Sequence, residues 1–499
     1  MTETLSADVV VIGSGAGGAP VAASLAEAGL DVLVLEAGAR VETRDFDGEP
    51  RDMLMRLMQA TTAAGSGMEL YAGRCVGGST VVNDALCWRP PAEILEGWRR
   101  DYGLEGWTEA ALAPYVERAW TEVNASPTGR EHLSRNAHLL ELGAGRLGWA
   151  AEAMPRAVRG CANLGLCNLG CPTGAKQSAL VSWVPRAERA GARVLASVRA
   201  ERVLLESGAV RGVAATRLDP ATRVPAGELR IAAPLVCAAA GVLGTPALLL
   251  RSGLAGPGVP PGRGVQLHSS VHVAARFPEP VHGYYGPTMA YAVSEFSDVN
   301  GQRGPGFMLE NVTVDPVTTA AAMAGFGAAH AERMAALPYL ARALVVLRDA
   351  TRGEITLSSS GAAQVRYEPV AGDLARLRDG MAAIARAYLA AGALEVHLPL
   401  QRALPVRRES DLDALADIEV SPRSLSLLYA VHLFGGAAMA ADPARGTCDG
   451  DGRAFAARGL FVCDASALPG NTGVNPQITI MAHSLRVAAA ILAARKAAA

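Results

Sequence analysis

The sequence has no excess of charge of either sign, with 46 Lys+Arg against 48 Asp+Glu and a formal net charge of −2 over 499 residues. Phosphate backbones and anionic membrane surfaces are recognised by broad basic surfaces, so nucleic acid and acidic bilayers are excluded as main partners and small-molecule chemistry is expected. Cysteine is scarce: eight in a chain of this length make no disulfide framework. Long hydrophobic runs are missing too. The start, MTETLSADVVVIG, holds an apolar stretch too short and too weakly flanked for a signal peptide. The later run LVCAAAGVLGTPALLLRSG, at 235–253, is broken by Gly244 and Pro246. No transmembrane segment is therefore expected, and a cytoplasmic location follows as an expectation. There is no internal repeat and no low-complexity tail. At a prior of ~100–200 residues per domain, the length predicts roughly two to four folding units.

What is present begins with ADVVVIGSGAGGAPVAASLAEAGLDVLVLEAG, Ala7 to Gly38, which alternates buried strand, glycine turn, alanine-rich helix and second buried strand. Gly13, Gly15 and Gly18 stand where a backbone approaches a pyrophosphate and a helix N-terminus offers its N–H groups to it. Glu36 closes the second strand, where a carboxylate can hold an adenosine ribose. This fingerprint leaves NAD and FAD both open. Helical periodicity fills much of 90–160, an alanine-rich helix is expected around 319–347, and LRDGMAAIARAYLAAG predicts a helix over 377–392. Short strands are expected between 192 and 238, and the chain closes with strand GLFVCDAS, loop ALPGNTGVNP and a final helix. The order predicts a nucleotide-binding domain assembled from separated pieces, with a second domain inserted between them.

A second glycine turn, YAGRCVGGSTVVN at 71–83, follows the first by some distance. Gly77, Gly78 and Ser79 allow another close backbone approach, and Asn83 offers an amide; read alone, they fit a structural turn equally well. This turn, CAAAGVLGTPALLLRSG, and the tail HLFGGAAMA…GLFVCDASALPGNTGVNPQITIMA resemble in order and spacing the glucose-methanol-choline (GMC) oxidoreductases. The resemblance spans the chain, is strongest before residue 90 and after about 430, and is thin between 270 and 425. Its motifs are most similar to long-chain alcohol oxidases and cholesterol oxidases, with GCPTGAKQS leaning to the former. Val242 stands where the family more often has a small residue.

The resemblance implies an α/β, Rossmann-like FAD-binding domain from residues 1–90, 190–270 and 425–499. It also implies a connecting region at 91–189 and an α+β substrate-binding domain with an antiparallel sheet at 271–424. It places Gly77, Gly78, Ser79 and Asn83 along the flavin, Val203 at the adenine, Asp464 near the diphosphate and ribityl chain, and Pro476 beside the ring. Val82 occupies the position from which some choline-oxidising relatives attach flavin through histidine, so the FAD is expected to be non-covalent. The family pairs a histidine with an Asn or His across one substrate oxygen, and His432 and Asn475 match these positions. Alcohol oxidation needs a base near neutral pKa and a hydrogen-bonding partner, which these residue types supply. His268 and His483 are expected to be structural. The apolar stretch VTTAAAMAGFGAAHAERMAALPYLARALVVL points to a bulky or apolar alcohol, with oxygen or another acceptor taking the electrons. Cys161, Cys167 and Cys171 leave two readings, thiols packing a loop or three ligands of an iron–sulfur cluster. The cluster would make the chain a dehydrogenase subunit that hands electrons to a partner. A third reading, a non-catalytic flavin-binding relay, predicts that His432 is dispensable.

Overall fold

The computed structural model describes residues 3–256 and 258–498. Strands covered on both faces read as unbroken apolar runs, and the first sheet is built from such runs: VVVI at Val9–Ile12, VLVL at Val32–Leu35 and LVCA at Leu235–Ala238. Its order is Arg193–Leu195, Val32–Leu35, Val9–Ile12, Leu235–Ala238, Leu460–Val462, with every pair parallel. Three distant stretches of chain thus share one sheet. Helix Gly18–Glu27 presses onto it because a Cβ on Gly18 would lie 1.8 Å from the Gly13 carbonyl oxygen. A four-stranded sheet, Glu3–Ser6, Pro225–Ala232, Ala209–Leu218 and Val198–Glu206, flanks this layer.

The second body is a large mixed sheet running Met58–Thr62, Glu69–Gly73, Tyr429–Ala430, Ser270–Arg276, Leu340–Leu347, Phe307–Asn311, Tyr291–Val293, Ala151–Ala153. It draws strands from well outside 271–424. The helix expected over 319–347 is corrected here: helices occupy Pro316–Ala322 and Gly327–Ala335 only, and Leu340–Leu347 is a strand buried at every position. Alanine richness favoured helix, but Gly325, Gly327 and Pro338 interrupt it, and Val345 and Val346 suit a strand covered on both faces. One face of this sheet, with Val271, Val273, Leu309 and Val345, packs on helix Ala371–Ala390. The other carries Glu310, Leu344 and His272 in one cross-strand row.

The final helix, Gln477–Ala498, is long and apolar enough over 477–497 to cross a membrane by length and composition. However, 61% of its most apolar window is buried inside the fold, where Ile478, Met481 and Leu485 join the core.

Helix Arg135–Leu147 crosses helix Ala371–Ala390 so closely that a Cβ on Gly143 would lie 2.0 Å from the Ala387 carbonyl oxygen. Gly143→Ala must push the helices apart and is expected to cost ~1–3 kcal/mol. A thermal melt should show a lowered midpoint, and an unchanged midpoint would mean that the crossing yields freely.

Candidate active site

The two glycine turns meet. Gly77 and Gly78 have φ of +94° and +54°, a region L side chains rarely adopt, and a Cβ on Gly78 would lie 2.8 Å from Gly15 Cα. Ser14 joins them: its Oγ accepts from Gly77 N at 3.0 Å and donates to Glu36 Oε2 at 2.7 Å. Glu36 also accepts from Ser14 N at 3.1 Å and Gly38 N at 2.8 Å. Burial pushes its carboxyl up, and these N–H and O–H donors oppose that shift. With three of about four acceptor positions filled, the carboxylate keeps one for a ribose hydroxyl. Helix Gly18–Glu27 starts with no side-chain cap and no acid in its first turn, an arrangement suited to an anion. A strip of bare backbone ending in an uncapped helix fits a dinucleotide diphosphate. Ser79 holds the second turn to its own strand, its Oγ accepting from Gly73 N at 2.9 Å.

The cysteine loop supports this turn from below. Lys176 is buried, and its Nζ donates to the carbonyls of Val81 (2.6 Å), Asn83 (2.9 Å) and Cys167. Burial lowers its pKa to about 8. Arg156, also buried, donates to Cys167 Sγ at 3.0 Å and reaches Cys161 Sγ at 4.0 Å, while Cys171 Sγ accepts from Lys176 N at 3.3 Å. Each sulfur thus has its own protein partner. Among the described residues no group of three His, Cys, Asp or Glu side chains could hold a metal ion. The cluster reading therefore finds no support in this geometry, and Cys161, Cys167 and Cys171 line only a small cavity together with Arg156 and Lys176.

The far end of the chain brings His432 and Asn475 together, with Asn475 Nδ2 and His432 Nε2 3.5 Å apart. Burial lowers the His432 pKa to about 4. His268, expected to be merely structural, is the partner of His432: their Nδ1 atoms lie 3.1 Å apart and their rings are edge-to-face at 87°. Gly473 N donates to His268 Nε2 at 3.2 Å, which puts the proton of neutral His268 on Nδ1, directed at His432 Nδ1. That arrangement asks for the His432 proton on Nε2, whereas Asn475 Nδ2, which only donates, asks for a bare Nε2, so the two contacts favour opposite tautomers of the histidine pair. Baring that nitrogen moves the His268 proton to Nε2, where it faces the Gly473 N–H and leaves a buried donor unpaired at about 1–3 kcal/mol, offset in part by the Asn475 amide that can then donate to His432 Nε2. His483 remains structural, bonded to the Val462 carbonyl at 2.9 Å.

The remaining expected positions separate into those that reach the site and those that brace it. Asn83 donates to Gln477 Oε1 and accepts from Ala85 N at 3.1 Å, so its amide ties the second turn to the final helix. Pro476 is buried immediately before that helix. Asp464 acts as a brace: it accepts from Gly241 N, Thr245 Oγ1, Ser466 N and Ser466 Oγ, capping the turn that follows it. It still abuts the first loop, since a Cβ on Gly17 would lie 2.8 Å from Asp464 Cβ. Val203 is buried with its N–H on Ser252 Oγ at 2.9 Å. Sequence reasoning missed Ser14, Lys176, His268 and Glu310. Ser14 lies inside the fingerprint, so its place was visible; the others are joined to the site only by tertiary contacts.

Residues 11–270 and 349–484 match the two GMC oxidoreductase family profiles. An uncharacterised GMC-type oxidoreductase of Mycobacterium tuberculosis strain H37Rv is 38% identical over 97% of this chain and 75% of its own length. A long-chain-alcohol oxidase of Arabidopsis thaliana is 29% identical over 97% of this chain and 67% of its own. Pyridoxine 4-oxidase from Mesorbium loti has a similar fold, with a TM-score of 0.73 at 18% identity, covering 97% of this chain and 99% of that chain.

Lys176→Met removes the donor shared by three buried carbonyls, each of which then carries a desolvation cost of about 1–3 kcal/mol. The variant should purify with less flavin per chain and melt earlier; full flavin content at the parental melting point would contradict the supporting role.

Proposed function

Since the chain belongs to the GMC oxidoreductases, FAD-dependent enzymes acting on CH–OH donors, we propose that it oxidises an alcohol to a carbonyl with His432 as the base. FAD, when bound here, would supply the hydride acceptor, and with valine at position 82 it would be held without the covalent link that a histidine there could make. The observation that carries the reading is the convergence of His432 Nε2 and the Asn475 amide at 3.5 Å, on the chain segment that also closes the nucleotide-binding sheet. A substrate oxygen between them is held by the amide while His432 Nε2 takes the hydroxyl proton as the hydride leaves carbon. His268 keeps the His432 ring in place throughout. Molecular oxygen is the proposed electron acceptor, in keeping with the two relatives named as oxidases.

His432→Ala should slow anaerobic flavin reduction by an alcohol at least ~10²-fold while FAD stays bound. His432 must be neutral to accept a proton, and its pKa lies below the usual value of 6.5, at about 4. The reduction rate should therefore stay level through neutrality and fall as pH drops toward 4. Reduction at the parental rate in the variant would remove His432 from the chemistry, whereas a parent protein that no alcohol reduces would favour the non-catalytic relay.

A further inference from the structure

An apolar substrate was expected from the composition of residues 317–347, and the fold divides that stretch into an exposed helix and the buried strand Leu340–Leu347. Helix Gly327–Ala335 in that stretch has no buried residue, so its small side chains do not form an interior wall. The sheet face that carries Glu310 sets polar groups among apolar ones such as Leu344, Met308 and Val346. Glu310 stands on strand Phe307–Asn311 at 1% exposure, and both of its carboxyl oxygens lack a hydrogen-bond partner. The Asn475 amide is close enough to favour its charged form but short of a formed hydrogen bond, and Asn475 Oδ1 is itself unpartnered.

More unpartnered atoms belong to the same neighbourhood. His272 shares a cross-strand row with Glu310, and its Nδ1 is free while Tyr429 takes its Nε2. Asp84, whose charge acts on both Glu310 and Tyr429, has a bare Oδ1, and Thr288 beside Asp84 has a bare Oγ1. The nearby buried cation does not answer this need, because Arg342 directs its guanidinium at Asp315, Thr318 and Thr319. Burial raises the Glu310 pKa to about 8, leaving the group poorly suited to act as a base at neutral pH.

A buried polar atom with no partner costs about 1–3 kcal/mol, and clustered cases mark a place where a ligand completes the bonding. Even with the Glu310 carboxyl largely protonated in the empty site, one of its oxygens, Asn475 Oδ1 and Asp84 Oδ1 remain bare acceptors, so the missing molecule is a donor, and an ammonium would draw the carboxyl into its charged form. A simple alkyl alcohol has one O–H, already engaged between His432 and Asn475, and would lay hydrocarbon against a bare carboxyl group. We propose that this site takes an alcohol bearing a second hydrogen-bond donor, a hydroxyl or an ammonium, one or two carbons from the reacting carbinol, and that Glu310 selects it. The close spacing follows from Glu310 adjoining Asn475, which adjoins His432. This inference rests on the alcohol chemistry proposed at His432 and Asn475.

The test uses the FAD-loaded protein with hexan-1-ol, hexane-1,2-diol and 2-aminohexan-1-ol, alongside the matching cyclohexanol series. Anaerobic flavin reduction should favour the diol or the amino alcohol over the plain alcohol by at least ~10² in kcat/KM, because a site built for a polar group rejects the analogue lacking it. Glu310→Leu should bring the three to near parity, while Glu310→Gln should keep the diol and lose the amine, which identifies the donor. A wild-type preference for the plain alcohol, or a Glu310→Leu variant that still discriminates, would overturn the proposal. The same compounds are also read by thermal shift without turnover. If no alcohol reduces the flavin, the oxidation reading fails on its own; stabilisation by the diol or amine that disappears in Glu310→Leu still upholds the selection, and equal stabilisation by the plain alcohol refutes it.

Discussion

Everything at the candidate site depends on two stretches of backbone being allowed to touch. Gly15 and Gly78 approach to a separation that no Cβ on Gly78 would tolerate, and the Ser14 hydroxyl fastens the contact by accepting a hydrogen bond from Gly77 N and donating one to Glu36. Remove the approach and the glycine loop remains an ordinary strand-to-helix turn. With it, the phosphate-binding end and the reactive end of the cleft become one continuous surface, because the second turn leads directly to Asn83 and, through Gln477, to the helix behind Asn475.

That continuity explains the buried charge beneath it. An ammonium group in a protein interior is costly unless fully bonded, and Lys176 is bonded by three carbonyls from two loops. The cysteine loop is thus read most simply as a pedestal. Its sulfurs meet a guanidinium and a backbone N–H, and its lysine fixes the curvature of the turn above.

Local pattern made much of this legible. Gly13, Gly15, Gly18 and Glu36 lie within one βαβ unit, where period and turn chemistry are encoded in adjacent residues, and all four were found there. The strand Leu340–Leu347 was not, because alanine reads as helix until burial on both faces is known. Glu310 was hidden by the same limitation: a single acid in an apolar strand carries no sequence signal until the register sets it beside Asn475. His268 shows a milder failure. Its residue type was noticed, but whether a histidine is structural or holds another histidine is decided by an Nδ1–Nδ1 contact between positions 164 residues apart. Asp464 shows the opposite case, since an acid directly before a serine and a short turn carries its capping role in adjacent residues.

The parallel sheet has a further meaning for how the protein is made. Leu235–Ala238 lies between Val9–Ile12 and Leu460–Val462, so its outer edge stays unpaired until nearly the whole chain has been synthesised. The ribosome therefore releases an apolar strand edge long before its neighbour exists, along with a nucleotide site that has phosphate loops and no reactive end. Parallel pairing across such a sequence separation is slow and leaves transient edges open to other chains. The interval between translating residue 238 and residue 462 is therefore the period in which this apolar edge is open to other chains.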